Sequence, residues 1–146
     1  MRVDDQQLPA YFEFASKVLG ETFEYGPCKC LANLHDDGSI AAVVIYAHMS
    51  DFNCVLHVAS DGSRRWLSQE FLYWVFAVPF EQWGKVRVTG LVAESNKAAL
   101  RLDLGLGFVV EGRIRRAFGN DDGILLGMLR EECRALKLGG RHGRKK

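Results

Sequence analysis

The chain has 146 residues, 48% hydrophobic, 25% charged and 11% aromatic, with a formal net charge of +1. That balance excludes disordered, collagen-like and coiled-coil classes, and the length fits one domain able to bury roughly two-thirds of its unfolded surface. No stretch reaches the ~20 apolar residues of a membrane helix and Met1 to Glu13 has no signal-peptide run, so no membrane contact and a cytoplasmic location are expected.

Charge is unevenly placed. Residues 137–146 hold five Lys/Arg and no acid, leaving 14 basic against 18 acidic side chains, or −4, on the rest. The expected organisation is one domain over residues 1–136 and a basic tail over 137–146. A solubilising end is the ordinary reading of such a tail; nucleic-acid contact is the less favoured one. Cys28, Cys30, Cys54 and Cys133 lack structural-zinc spacing, and His35, His48 and His142 have no partner at ligand spacing. Reduced core thiols and no metal are expected.

From Leu8 to Leu19, Tyr11, Phe12, Ala15, Val18 and Leu19 recur at spacings of three and four between Pro9 and Gly20, which predicts an amphipathic helix. A strand over Lys29–His35, a turn at Asp36-Asp37-Gly38 and a strand over Ser39–His48 follow as a hairpin. The apolar run Ile40–Ile45 implies a strand covered on both faces. Asn53–Ala59 reads as a third strand, and a helix apolar nearly all round starts at about Arg65, to be kinked or ended by Pro79. A strand at Lys85–Ala93, a short helix capped by Ser95 and running through Leu104, and strands Phe108–Phe118 and Ile124–Arg134 around the turn 119–123 complete the order. Strands interleaved with helices need crossovers, so the fold class is α+β, with a mixed sheet of about six to seven strands flanked by helices.

The junction from Leu56 to Trp66 runs from a strand through Gly62 and Ser63 into a helix start. Free amides and a positive dipole end suit a phosphate, and Arg64 and Arg65 would add charge-assisted contacts. One glycine is a weak signal, and an ordinary loop with two solvated arginines explains the segment as well.

Residues 86–112 are more specific. A strand leads to Asn96-Lys97-Ala98-Ala99 at a helix start, then Gly107-Phe108 eleven residues after the Asn and Glu111-Gly112 four residues beyond Gly107. This pattern resembles the second half of a GNAT-superfamily N-acetyltransferase, and Arg113-x-Arg115 with the segment Asp122 to Arg130 is similar to its RimJ/RimL branch. The resemblance covers about residues 53–134. It implies a GNAT-type fold and an enzyme moving an acetyl group from acetyl-CoA (coenzyme A) to a primary amine by direct attack. The acceptor would be a protein N-terminus, a peptide or a small molecule.

The resemblance further implies that strands 53–59 and 85–93 splay apart around the pantetheine arm. Leu56, His57 and Val58 would then pair with it. Gly62, Ser63, Arg64, Arg65, Trp66 and Leu67 would hold the pyrophosphate, and Asn96 would meet the arm. The chain departs from the family at Asp61-x-x-Arg64-x-Trp66, where the usual glycine loop is missing, and at Asp103, where relatives place a tyrosine as general acid. Asp103 can donate only if burial raises its pKa. His57 is the candidate general base, with an ordinary core histidine as the plain alternative.

An aromatic stripe at Tyr11, Phe12, Phe14, Phe23 and Tyr25 is an acceptor wall or simply core. Asp121 and Asp122 could attract a cation or merely make a turn. The departures from the family admit two rival readings: a degenerate GNAT-fold binding module, and a nucleic-acid or protein accessory factor using the tail. A homodimer stays open.

Overall fold

The computed structural model describes residues 1–63 and 66–137. Seven strands form one sheet in the order β1-β2-β3-β4-β5-β7-β6. They are β1 (Arg2–Asp4), β2 (Lys29–Leu34), β3 (Ile40–Ala47), β4 (Val55–Ser60), β5 (Arg87–Ala93), β6 (Val109–Phe118) and β7 (Asp121–Leu129). Helices α1 (Pro9–Leu19), α2 (Gln69–Ala77) and α3 (Lys97–Leu106) accompany them, and the described residues end in a helical turn at 134–137. Every strand pair is antiparallel except β4 with β5.

The continuous apolar run of β3 has a direct physical cause. Tyr11, Phe12 and Ala15 of α1 cluster with Val43, Ile45 and Ala59. On the opposite face Phe71, Val75 and Phe76 of α2 join Val44, Tyr46, Leu126 and Met128. With both faces covered, residues 41–47 are all buried and no polar alternation survives. Tyr46 is tolerated there because its hydroxyl donates to the Val75 carbonyl at 2.7 Å. Phe71, with 0% of its surface exposed, contributes on the order of 2–3 kcal/mol of burial.

Several boundaries differ from expectation. The short strand β1 has no periodicity to betray it and is defined by its pairing with β2. Helix α2 starts at Gln69 rather than about Arg65, because the Ser68 hydroxyl caps it by accepting the Phe71 N–H at 3.2 Å. Pro79 ends the α-helix as expected, and the chain continues as a π-helical turn over Val78–Gln82. Asn96, not Ser95, caps α3, which runs two residues past Leu104. The last hairpin turns on Gly119-Asn120, so β7 begins at Asp121, and it stops at Leu129 where a 3-10 turn takes over through Glu132.

Candidate active site

Strands β4 and β5 share one register position, Val55 opposite Thr89. There the Thr89 N–H donates to the Cys54 carbonyl at 2.9 Å. Beyond it each strand follows its other neighbour: β4 stays in register with β3 up to Ala42–Ser60, and β5 with β7 up to Ala93–Gly123. Strand twist then opens a wedge between them.

The direction of the backbone along β4 decides what that wedge contains. Successive residues send their N–H and C=O groups to opposite sides. The Cys54 carbonyl faces β5, while the Asp61 N–H returns to the Ala41 carbonyl beside β3 at 2.9 Å. The Leu56 C=O and the Val58 N–H and C=O therefore face the wedge, the Leu56 N–H completes the bridge to Thr89, and His57 and Ala59 spend theirs on β3. Apolar Val58 and Leu91 flank the wedge and are 44% and 37% exposed.

Side-chain alternation puts His57 with Ile45 on the α1 face, opposite Leu56 and Val58. It lines a cavity of about 600 Å³ together with Glu21, Phe23, Glu24, Cys28 and His48. Its Nδ1 lies 3.6 Å from Glu21 Oε2, and its ring is 5.1 Å from that of Phe23. Burial pushes its pKa below the ordinary 6.5, Glu21 partly offsets this, and His48 adds to it. The imidazole is thus neutral near pH 7 and able to accept a proton. The α1–β2 connection that carries Glu21 and Glu24 has no motif; nothing in one dimension reveals that it folds back over β4.

The aromatic stripe divides. Tyr11 and Phe12 belong to the core, Phe23 forms cavity wall, and Tyr25 is exposed with its ring edge-on to Phe12. His35 pairs with Asp61 at 2.8 Å. Asp121 bonds to Ser95, and Asp122 to Arg113 and the Arg116 N–H, so both acids are engaged within their own end of the sheet.

The loop after β4 is less open than a phosphate cradle requires. The Gly62 N–H donates to Ser60 Oγ at 3.3 Å and the Ser63 N–H to Asp61 Oδ1 at 2.8 Å. Hydrogen bonds from His35 and Ser63 hold the Asp61 carboxyl at about 2, so the loop carries a negative charge. Trp66 packs partly buried against the α2-side core, and its carbonyl accepts from the buried Asn33 side chain at 2.8 Å. Asn33, which sequence reading passed over, thereby anchors the approach to α2. Leu67 is half-buried in the same approach. Arg64, Arg65 and residues 138–146 of the basic tail lie outside the described residues.

Across the wedge, α3 leaves the open end of β5. Exposed Asn96 caps the helix, its Oδ1 accepting the Ala99 N–H at 3.2 Å. Asp103 is half-buried and its carboxylate accepts no hydrogen bond among the described residues. Burial alone pushes its pKa up to about 6. It differs from an ordinary helix-surface carboxylate in that burial favours its protonated form.

No protein-family model and no curated protein sequence matches the chain. Solved structures do match in shape. A chimera of the spermidine N-acetyltransferase SpeG from Vibrio cholerae and hSSAT superposes with a TM-score of 0.72 at 11% identity, covering 90% of this chain and 98% of that one. The Campylobacter jejuni N-acetyltransferase PseH, in complex with acetyl coenzyme A, gives 0.60 at 15% identity over 72% and 70%. A ribosomal-protein alanine acetyltransferase from Vibrio fischeri gives 0.63 at 15% over 74% and 64%. The chain spans about two-thirds of the length of some of these proteins, 66% for a point variant of SpeG. The seven-stranded mixed sheet flanked by helices is the GNAT acetyltransferase fold.

Proposed function

We propose that the protein is an acyl-CoA-dependent N-acetyltransferase that moves an acetyl group from acetyl-CoA to a primary amine by direct attack. The observation that carries this reading is the wedge, where parallel pairing of β4 with β5 stops at Val55–Thr89 and the Leu56 C=O and the Val58 N–H and C=O turn away from β3 into the splay. An extended amide-bearing arm can add there as a strand does. The spermidine and ribosomal-protein alanine acetyltransferases among its structural neighbours support an amine acceptor, small-molecule or protein. The finer likeness to the RimJ/RimL branch rests on Arg113-x-Arg115 and the β7 segment; the structural neighbours do not single that branch out.

Bound acetyl-CoA supplies the activated acyl group and a thiolate leaving group. The Val58 N–H, turned into the wedge, is placed to donate to oxygen on which charge develops. His57 takes the proton of the attacking amine from the cavity side, and Asp103 returns a proton to the leaving sulfur. Asn96 Nδ2 steadies the arm. Phosphate binding falls to the segment Gly62–Leu67 and the first amides of α2, with Arg64 and Arg65 supplying charge. Ser60 and Asp61 must release the Gly62 and Ser63 amides for this, and that rearrangement limits affinity.

Those occupied amides are also the specific feature favouring a second reading, a GNAT-fold module that binds partners without chemistry. Release of free thiol from acetyl-CoA separates the two. Amine-dependent release with spermidine, simple alkylamines or peptide N-termini is expected, with His57→Gln slowing it about 100-fold or more. If none of these amines accelerates release, the binding-module reading replaces the enzyme.

A further inference from the structure

We propose that the cavity over His57 selects acceptors with a second cationic centre beside the reacting amine and rejects amines that carry an anionic group. The inference rests on the acetyltransferase reading for the reacting end and on the cavity walls for the rest.

Two carboxylates, Glu21 and Glu24, belong to the segment that closes the α1 face, and His57 of β4 lies on the opposite wall. Among the described residues no lysine or arginine lines the cavity. A carboxylate or phosphate on the acceptor would meet two like charges with nothing to neutralise it, in a place only partly open to water. An ammonium group meets the reverse. Phe23, Ala47 and Met49 supply apolar wall for a methylene stem, and about 600 Å³ suits a small flexible amine.

The backbone that carries the two exposed carboxylates is held in place. Gly26, with φ of 105°, and Pro27 form a tight turn in which the Cys28 N–H donates to the Glu24 carbonyl at 3.0 Å. Phe23 is buried beside the His57 ring, and Tyr25 sets its ring edge-on to Phe12 at 5.4 Å. This fixed segment reduces the entropy that recognition would otherwise cost. The Cys28 thiol lies near both charges: burial raises its pKa most, a hydrogen bond with the Glu24 backbone lowers it, and the Glu24 and Glu21 carboxylates each add a smaller rise.

The roles of the two carboxylates divide by place. Glu21, 3.6 Å from His57, stands beside the reacting amine and receives charge as the imidazole accepts the proton. Glu24 is left for the distant ammonium, which remains protonated at neutral pH because an alkylamine titrates near that of lysine, about 10.4.

The test compares three acceptors of equal chain length, 1,4-diaminobutane, 1-aminobutane and 4-aminobutanoate. Low ionic strength favours the measurement, since exposed charges are screened by salt. The expected kcat/KM of the diamine exceeds that of the monoamine about tenfold, with 4-aminobutanoate lower again, and Glu24→Gln brings the first ratio down to about 2. Binding is read separately from amide shifts of residues 21–28 when the same compounds are added to protein with CoA, where no turnover occurs.

Selective shifts with the diamine but no acetylation would leave the cavity assignment standing and remove the enzymatic one. Acetylation of all three compounds at similar rates would do the opposite. Absence of diamine-induced shifts in residues 21–28 overturns the proposal outright.

Discussion

Asp103 holds its proton more tightly folded than unfolded, because burial lifts its pKa from 3.8 to about 6. Its contribution to stability is complete below the unfolded value and is lost as pH rises through about 6, so at pH 7 the ionised carboxylate opposes folding. Asp103→Asn should stabilise the fold at pH 7 by about 1 kcal/mol, after allowance for the water that still reaches the group. The gain should vanish near pH 3.5 in denaturant titrations. The same substitution should lower kcat about 10- to 100-fold if Asp103 protonates the leaving thiolate. His57 carries the opposite shift. The acidic limb of kcat/KM should therefore fall below pH 6.5, and Glu21→Gln should move it lower still, since Glu21 is what raises the imidazole pKa. A limb unmoved by Glu21→Gln would separate Glu21 from His57.

Among the elements, α3 depends on its two ends. Asn96→Ala removes the cap on the Ala99 N–H and should cost about 1 kcal/mol in thermal unfolding. Gly107 terminates the helix at φ 115°, and a Cβ there would sit 2.1 Å from the Glu132 carbonyl oxygen. Gly107→Ala should cost about 3–4 kcal/mol, because left-handed strain and backbone overlap add. A loss under about 1 kcal/mol would mean that the turn through Glu132 is free to move. The amphipathic spacing of α1, the hairpin residues before β3 and the termination of α3 near Gly107 were readable because each signal is local. The start of α2 was misplaced by about four residues: Trp66 and Leu67 extend the apolar spacing upstream of Phe71, and only the Ser68 cap, with Asn33 of β2 holding the Trp66 carbonyl, sets the boundary. Strand β1 exists through its register with β2, a contact across some 30 residues of sequence that no window could sense.

At the scale of the molecule, acetyl-CoA binding in the wedge should appear as stabilisation. Ligand at about 100 times its dissociation constant adds about 2.7 kcal/mol, or roughly 5–10 °C in melting temperature for a chain of this size. No shift at millimolar acetyl-CoA would remove the assigned cofactor. The sequence by itself determined the mixed α/β alternation, the doubly covered β3 and the Asn96-to-Gly112 pattern, since those follow from periodicity and short-range turn chemistry. Tertiary structure alone decided the rest. It turned the Leu56 and Val58 backbone into the wedge and the His57 side chain into the cavity, and it brought Glu21 and Glu24 over β4. It also tied the Gly62 and Ser63 amides to their own loop and left Asp103 half-buried. Side-chain direction, solvation and the meeting of distant segments depend on how the sheet twists and what packs against it, and no local run of residues encodes them.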